Sequence, residues 1–264
     1  MNPSAETLQF VREPTKSDFR QILAWLKNEQ EAEGEGFYCN RNIIEDCFED
    51  RRMVCGRLDG LPITFLTWSK GRRAVEILIM ATLPGGRGTG LGSAFVRSVL
   101  PHLRDELGIL VVELECTPPR SESFWRNHNF IDFPPGRKSW RSGIQLYKSL
   151  LGDPSPVPGP TAELEIWHRP SYEVANGEPA DEKALLVLDG VGKINQQVVI
   201  LAEPDWKARV AILGAVPREG KVKQIFSRSC LEGEFLVGVP VLETVEGEPG
   251  QAGAGEEVGA GSSG

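Results

Sequence analysis

"PGGRGTGLGSAFVRSVL", Pro84 to Leu100, carries five glycines within eight residues and then an apolar run at helical spacing. Gly85, Gly86, Gly88, Gly90 and Gly92 lead directly into Phe95, Val96, Val99 and Leu100. A helix start offers backbone N–H groups without intrahelical partners and the positive end of the helix dipole. Glycines let a ligand approach those groups without Cβ obstruction, so the stretch predicts a phosphate site at the mouth of a helix. The preceding "AVEILIMAT", Ala74 to Thr82, predicts a strand closed by Pro84.

Upstream, Leu8–Val11 predicts a short strand, and Thr15 or Ser17 caps a helix with Phe19, Ile22, Leu23 and Leu26 on one face. A second helix starts at Asn40 and carries Ile43, Ile44, Cys47 and Phe48. "RMVCGRL" and "LPITFLTW" flank Asp59–Gly60, a hairpin signature, and the 74–82 strand extends the meander. Downstream come the buried strand "GILVVELEC", a short helix near Ser121–Asn127, and strands near Asn129–Phe133 and Ile144–Leu150. The sum is β-α-α-β-β-β-α-β-α-β-β, an α/β fold on a mixed sheet with flanking helices.

The chain has 264 residues, 40% hydrophobic and 25% charged, a globular composition with room for two domains. "GDPSPVPGP", residues 152–160, holds four prolines and reads as a stiff linker, and the Gly- and Glu-rich residues 244–264 as a disordered tail. The expected division is therefore a domain at 1–151, the linker, a smaller domain at 161–243, and the tail. Residues 1–150 hold 20 Lys and Arg against 19 Asp and Glu, whereas 151–264 hold 9 against 18. The second half would repel phosphates, which argues against nucleic acid as a partner. No run is apolar enough for a membrane helix, and "MNPSAETLQF" lacks a signal-peptide pattern. Five scattered cysteines without a C-x-x-C pair, and three distant histidines, predict reduced thiols, a cytoplasmic location and no metal site.

Spacing decides which phosphate. No lysine follows the glycines as a P-loop requires, and Gly88, Gly90 and Gly92 give G-x-G-x-G, unlike a dinucleotide fingerprint. Arg87, Gly90 and Gly92 instead form R-x-x-G-x-G between a strand and a helix, and "SESFWRNHNF" later supplies Phe124, Trp125 and Phe130. In this loop, this block and the element order, residues 8–150 resemble the Gcn5-related N-acetyltransferase (GNAT) superfamily. The resemblance implies acetyl-CoA as co-substrate, its diphosphate held by Arg87, Gly88, Thr89, Gly90, Leu91, Gly92 and Ser93. It places the pantetheine arm along Met80, Ala81 and Thr82, where that strand splays from its neighbour, with Trp125 also at the cofactor.

The implied activity is direct attack of a primary amine, on a small molecule or a protein, on the thioester, with Glu76 as catalytic base or relay. Glu113 and Glu115 are the alternative bases, and Cys116 reads as a buried structural thiol. Trp125 replaces the tyrosine usual in the family's F-Y pair, and an indole N–H cannot protonate a thiolate at neutral pH. Tyr38, between the first two helices, is the candidate acid. The replacement keeps a second class open, a noncatalytic acyl-CoA-binding sensor or scaffold. "NEQEAEGEG", residues 28–36, places four glutamates at alternating positions, either a solvated face or an acidic lining for a cationic amine.

Residues 162–242 contain the short apolar runs "ELEIW", "ALLVL", "QQVVILA", "RVAILG", "KQIF" and "EFLVGVPVL", punctuated by Asn176–Gly177, Asp189–Gly190 and Glu219–Gly220. They predict a small all-β domain, a sandwich or partly open barrel, that serves partner binding or self-association.

Overall fold

A computed structural model describes residues 8–34, 36–134, 137–138, 142–152, 159–189 and 191–242. Linker residues 153–158, the tail at 244–264, Glu35 and Gly190 lie outside the described residues.

The first sheet runs β1 (Gln9–Val11), β2 (Met53–Leu58), β3 (Leu61–Trp68), β4 (Ala74–Thr82), β5 (Val111–Cys116), β7 (Ile144–Ser149) and β6 (Ile131–Asp132) in spatial order. Only β4 and β5 are parallel; the other neighbours are antiparallel. Helices α1 (Lys16–Glu33), α2 (Arg41–Glu49), α3 (Leu91–Asp105) and α4 (Glu122–Arg126) complete the mixed α/β architecture in the expected element order. The β2–β3 hairpin turns at Asp59 and Gly60, whose φ of 51° and 81° match the twist of the flanking strands.

Two apolar layers sandwich this sheet. Ile22 and Leu26 of α1 and Ile44 of α2 pack on Met53, Cys55 and Phe65, while Phe95, Val96, Val99 and Leu103 of α3 pack on Val54, Leu66 and Val112. Strand β4 serves both layers because a bulge interrupts its register with β3: Thr67 faces Ile79 but Trp68 faces Ile77. One extra residue, Leu78, changes the alternation. Val75 and Ile77 accordingly join the α3 layer, Ile79 and Ala81 join the α1–α2 layer, and Met80 turns back towards α3.

At the start of α1, Thr15 and Asp18 form a reciprocal capping box, and Arg57 of β2 donates to both oxygens of Asp18 at 2.7 and 2.5 Å. Burial raises the Asp18 carboxyl, but the hydrogen bonds from Arg57 and Thr15 outweigh it and hold the group below the usual carboxylate range. Gly34, left-handed at φ 73°, ends the helix.

The second region comprises β8 (Thr161–Pro170), β9 (Glu182–Val187), β10 (Val198–Leu201), β11 (Trp206–Ile212), β12 (Arg218–Lys221), the single-turn α5 (Val222–Ile225), β13 (Leu231–Glu232) and β14 (Phe235–Gly238). Its sheets have the orders β12-β11-β8-β9 and β10-β14-β13. They enclose a core around Leu164, Ile166, Trp206, Phe226 and Leu236. Two local expectations are corrected. Glu219–Gly220 is no turn but part of β12, paired with Arg209 and Ala208. "KQIF" is not a strand: Lys221 N–H donates to Gln224 Oε1 at 2.9 Å, which starts α5 instead.

The two regions meet on the sheet face beside α1 and α2. Val111, Phe133 and Tyr147 pack against Leu201, Phe235 and Val237. In the turn before β4, the N–H groups of Arg72, Arg73 and Ala74 all donate to Glu232 Oε2, at 3.1, 2.8 and 3.0 Å. Lys138 bridges to Glu113 at 2.8 Å, and Arg137 pairs with Glu203 and Glu234.

Candidate active site

The bulged strand β4 creates the site. Its pairing with β5 stops at Ile77–Leu114, after which β4 continues to Thr82 beside β3, and β5 continues to Cys116 beside β7. The divergence opens a cleft of roughly 810 Å³. Met80, Ala81 and Thr82 form one wall; Thr117, Pro118, Arg120, Ser121, Phe124 and Trp125 form the other. Glu29, Glu33, Gly36 and Phe37 close it from the end of α1, and Arg87, Gly88 and Gly92 stand at its mouth.

The glycine loop explains its own composition. Gly88 and Gly90 have φ of 74° and 88°, left-handed values that cost an L side chain strain. A Cβ at Gly92 would lie 3.4 Å from Thr82 Oγ1 and 3.5 Å from Phe124, filling the gap between the walls. Thr89 Oγ1 ties the loop back to Gly86 O at 2.7 Å. Gly90 is the N-cap of α3 and no side chain caps that helix, so the amides of Leu91, Gly92 and Ser93 are left for an external acceptor. Leu91 contributes backbone only, since its side chain is buried. Arg87 is held from two sides: Nε donates to Thr82 O at 2.9 Å and Nη2 to Glu29 Oε1 at 2.5 Å.

Glu76, Glu113, Glu115, Tyr38 and Cys116 lie apart from the cleft wall, whereas Trp125 is part of it. Glu76 sits on the still-paired part of β4, with Glu113 opposite it on β5, and its N–H donates to Ser69 Oγ at 2.8 Å. Burial, ahead of the opposing Lys138 ion pair, raises the Glu113 carboxyl, and the Glu76 and Glu234 charges add to the rise. Glu115 pairs with Gln145 on the neighbouring strand. Tyr38 packs against the α1–α2 layer with Arg41 5.7 Å from its ring, while its neighbours Gly36 and Phe37 reach the cleft. Trp125 lines the cleft with one edge but is 6% exposed, wedged edge-on between Phe124 and Phe130. Burial, first of all, pushes the Cys116 thiol up, which keeps it protonated and inert. No group of three or more potential metal ligands gathers among the described residues.

Sequence reading missed Arg120, Ser121 and Phe37. They carry no motif: Arg120 and Ser121 follow β5 and Phe37 follows α1, and only the fold brings them to one cleft. Glu29 was visible only as one member of an acidic run, indistinguishable from Glu31.

No protein-family model matches the chain, and no curated protein does. Solved structures do match. Ard1 from Thermoplasma volcanium is 22% identical over 55% of this chain and 99% of that one, with a TM-score of 0.43. The PaiA N-acetyltransferase from Thermoplasma acidophilum, in complex with coenzyme A, is 13% identical over 54% and 98%, with a TM-score of 0.43. A GNAT-family acetyltransferase from Brucella melitensis, in complex with acetyl-CoA, is 14% identical over 56% and 91%, with a TM-score of 0.42. The class defined by the first sheet's own topology is the GNAT-type fold, a mixed sheet split between its parallel strands, followed by two further β-sheets. Among the described residues no helix is long and apolar enough to cross a membrane.

Proposed function

We propose that the chain is an acetyl-CoA-dependent N-acetyltransferase that moves an acetyl group to a primary amine by direct attack. The observation that carries this reading is the uncapped, glycine-led start of α3 at the mouth of a cleft floored by the free edge of β4. The amides of Leu91–Ser93 suit a diphosphate, with Arg87 and Arg120 supplying positive charge. The free backbone edge beyond Ile77 suits a pantetheine amide, which would add to the sheet as a short strand does. The thioester would then lie near the point of divergence. Glu76, just below that point and off the wall, would take the amine proton through water, and the thiolate would leave without a dedicated acid, because Trp125 offers none.

The placement of Glu76 and Tyr38 away from the wall, together with the buried Trp125, favours the second reading, a noncatalytic acyl-CoA binder. One experiment separates the two: acetyl-CoA calorimetry alongside thiol-release assays against a panel of amines. Binding with turnover is the expected result. Binding without turnover would move the chain to the second class, and absence of binding would overturn both.

A further inference from the structure

We propose that Glu29 is the receptor for a second, cationic amino group on the acceptor, and that Arg87 keeps this receptor closed until the coenzyme arrives. The proposal rests on reading the cleft as an acetyl-CoA site. Glu29 lies in the last turns of α1 and faces the cleft with its side chain 6% exposed. Its Oε1 accepts from Arg87 Nη2 at 2.5 Å, whereas its buried Oε2 has no hydrogen-bond partner among the described residues. A carboxylate withdrawn from water with one oxygen unsatisfied is costly, and a cation that completes it recovers that cost.

Arg87 belongs to two anions at once. In the open cleft it pairs with Glu29; a bound diphosphate, carrying more charge and more acceptor oxygens, would draw the guanidinium to itself. Glu29 would then be a buried carboxylate without a counter-ion, beside the place where an acceptor must enter. Glu33, one turn further on, lines the same cleft and adds to the negative field, and Phe37 offers an apolar surface for a methylene chain. Arg120, the other cationic side chain on the wall, comes from the segment after β5 and stays available to phosphate. The chemistry selected is an alkyl diamine. One amino group reacts as the neutral base while the other stays protonated on Glu29, and coenzyme binds first.

The test is calorimetric titration of 1,4-diaminobutane into the full chain, with and without saturating coenzyme A, using butylamine as the single-amine control. Coenzyme A carries no acetyl group, so binding is read without turnover. The diamine is expected to bind the coenzyme-loaded protein on the order of tenfold or more tightly than the free protein, and more tightly than butylamine. Glu29→Gln, which keeps an oxygen for Arg87, should abolish that preference and leave coenzyme binding intact. Arg87→Met should let the diamine bind without coenzyme. Equal diamine affinity in the presence and absence of coenzyme, or an unchanged preference in Glu29→Gln, would overturn the proposal. Weakened coenzyme binding in Glu29→Gln would do so too, since it would make Glu29 a positioning residue for Arg87. If coenzyme A does not bind the unaltered chain at all, it is the acetyl-CoA reading that falls, and the first titration shows it.

Discussion

Single residues decide whether the cleft binds and whether it reacts. Gly90 is left-handed and has open space where a Cβ would sit, so a side chain there meets backbone strain, not a clash. Gly90→Ala should lose about 1 kcal/mol of stability and keep most of its affinity for acetyl-CoA. Gly90→Glu carries the same strain and adds a negative charge at the anion site; calorimetry should find no binding, and retained micromolar affinity would remove the loop from the site. Glu76→Gln should lower kcat on the order of 10²-fold at pH 7, less at high pH, where the amine is already neutral. Full activity of that variant would assign Glu76 to the sheet alone. At this scale the sequence was legible where geometry is local, as in the left-handed backbone of Gly88 and Gly90 before α3. It was opaque for Trp125, whose burial between Phe124 and Phe130 depends on how α4 docks, and for Glu29, whose partner lies 58 residues away.

At the scale of elements, the helices and strands of the first sheet follow from caps, turns and periodicity, and the chain order was read correctly from Thr15, Asp59–Gly60 and the glycine loop. The β4 bulge was not. Alternation across Ala74, Glu76 and Leu78 reads as one uninterrupted face, and nothing in those side chains announces the extra residue opposite Thr67–Trp68. In the second region, Glu219–Gly220 has the composition of a turn but is held in β12 by pairing with β11, a tertiary contact that overrides local preference. The position of α1 matters to the cleft because its far end carries Glu29, and Asp18 fixes its near end. Asp18→Asn should destabilise the protein by on the order of 2–3 kcal/mol, as expected when a buried, hydrogen-bonded carboxylate leaves its guanidinium partner unpaired. The folded pKa of Asp18 is lowered, so its stabilisation is complete above the unfolded value of about 4 and is lost as pH falls towards the lower folded value. Denaturant midpoints measured from pH 6 downwards should converge for the two proteins in acid; a constant gap would show that the carboxylate charge is not involved.

For the whole molecule, the question is how independent the two regions are. Residues 161–243, expressed alone, should fold on the core around Trp206 and Phe226. Residues 1–151 contain every residue lining the cleft and should still bind acetyl-CoA, but with a lower Tm, because Val111, Phe133 and Tyr147 lose their cover. Thermal unfolding of both fragments beside the full chain checks this, and failure of either fragment to stay soluble would make the chain one cooperative unit. The contact across the boundary expected from proline content was not legible, since no local pattern pairs Glu232 with the turn at Arg72–Ala74. That clasp also has a meaning in time. Its carboxylate lies 158 to 160 residues beyond the amides that hold it. Chains are synthesised from the amino end, and their domains begin to fold in that order. The cleft strand therefore emerges from the ribosome long before the glutamate that fastens its base, and a nascent chain halted short of Glu232 has the complete cleft sequence without its anchor.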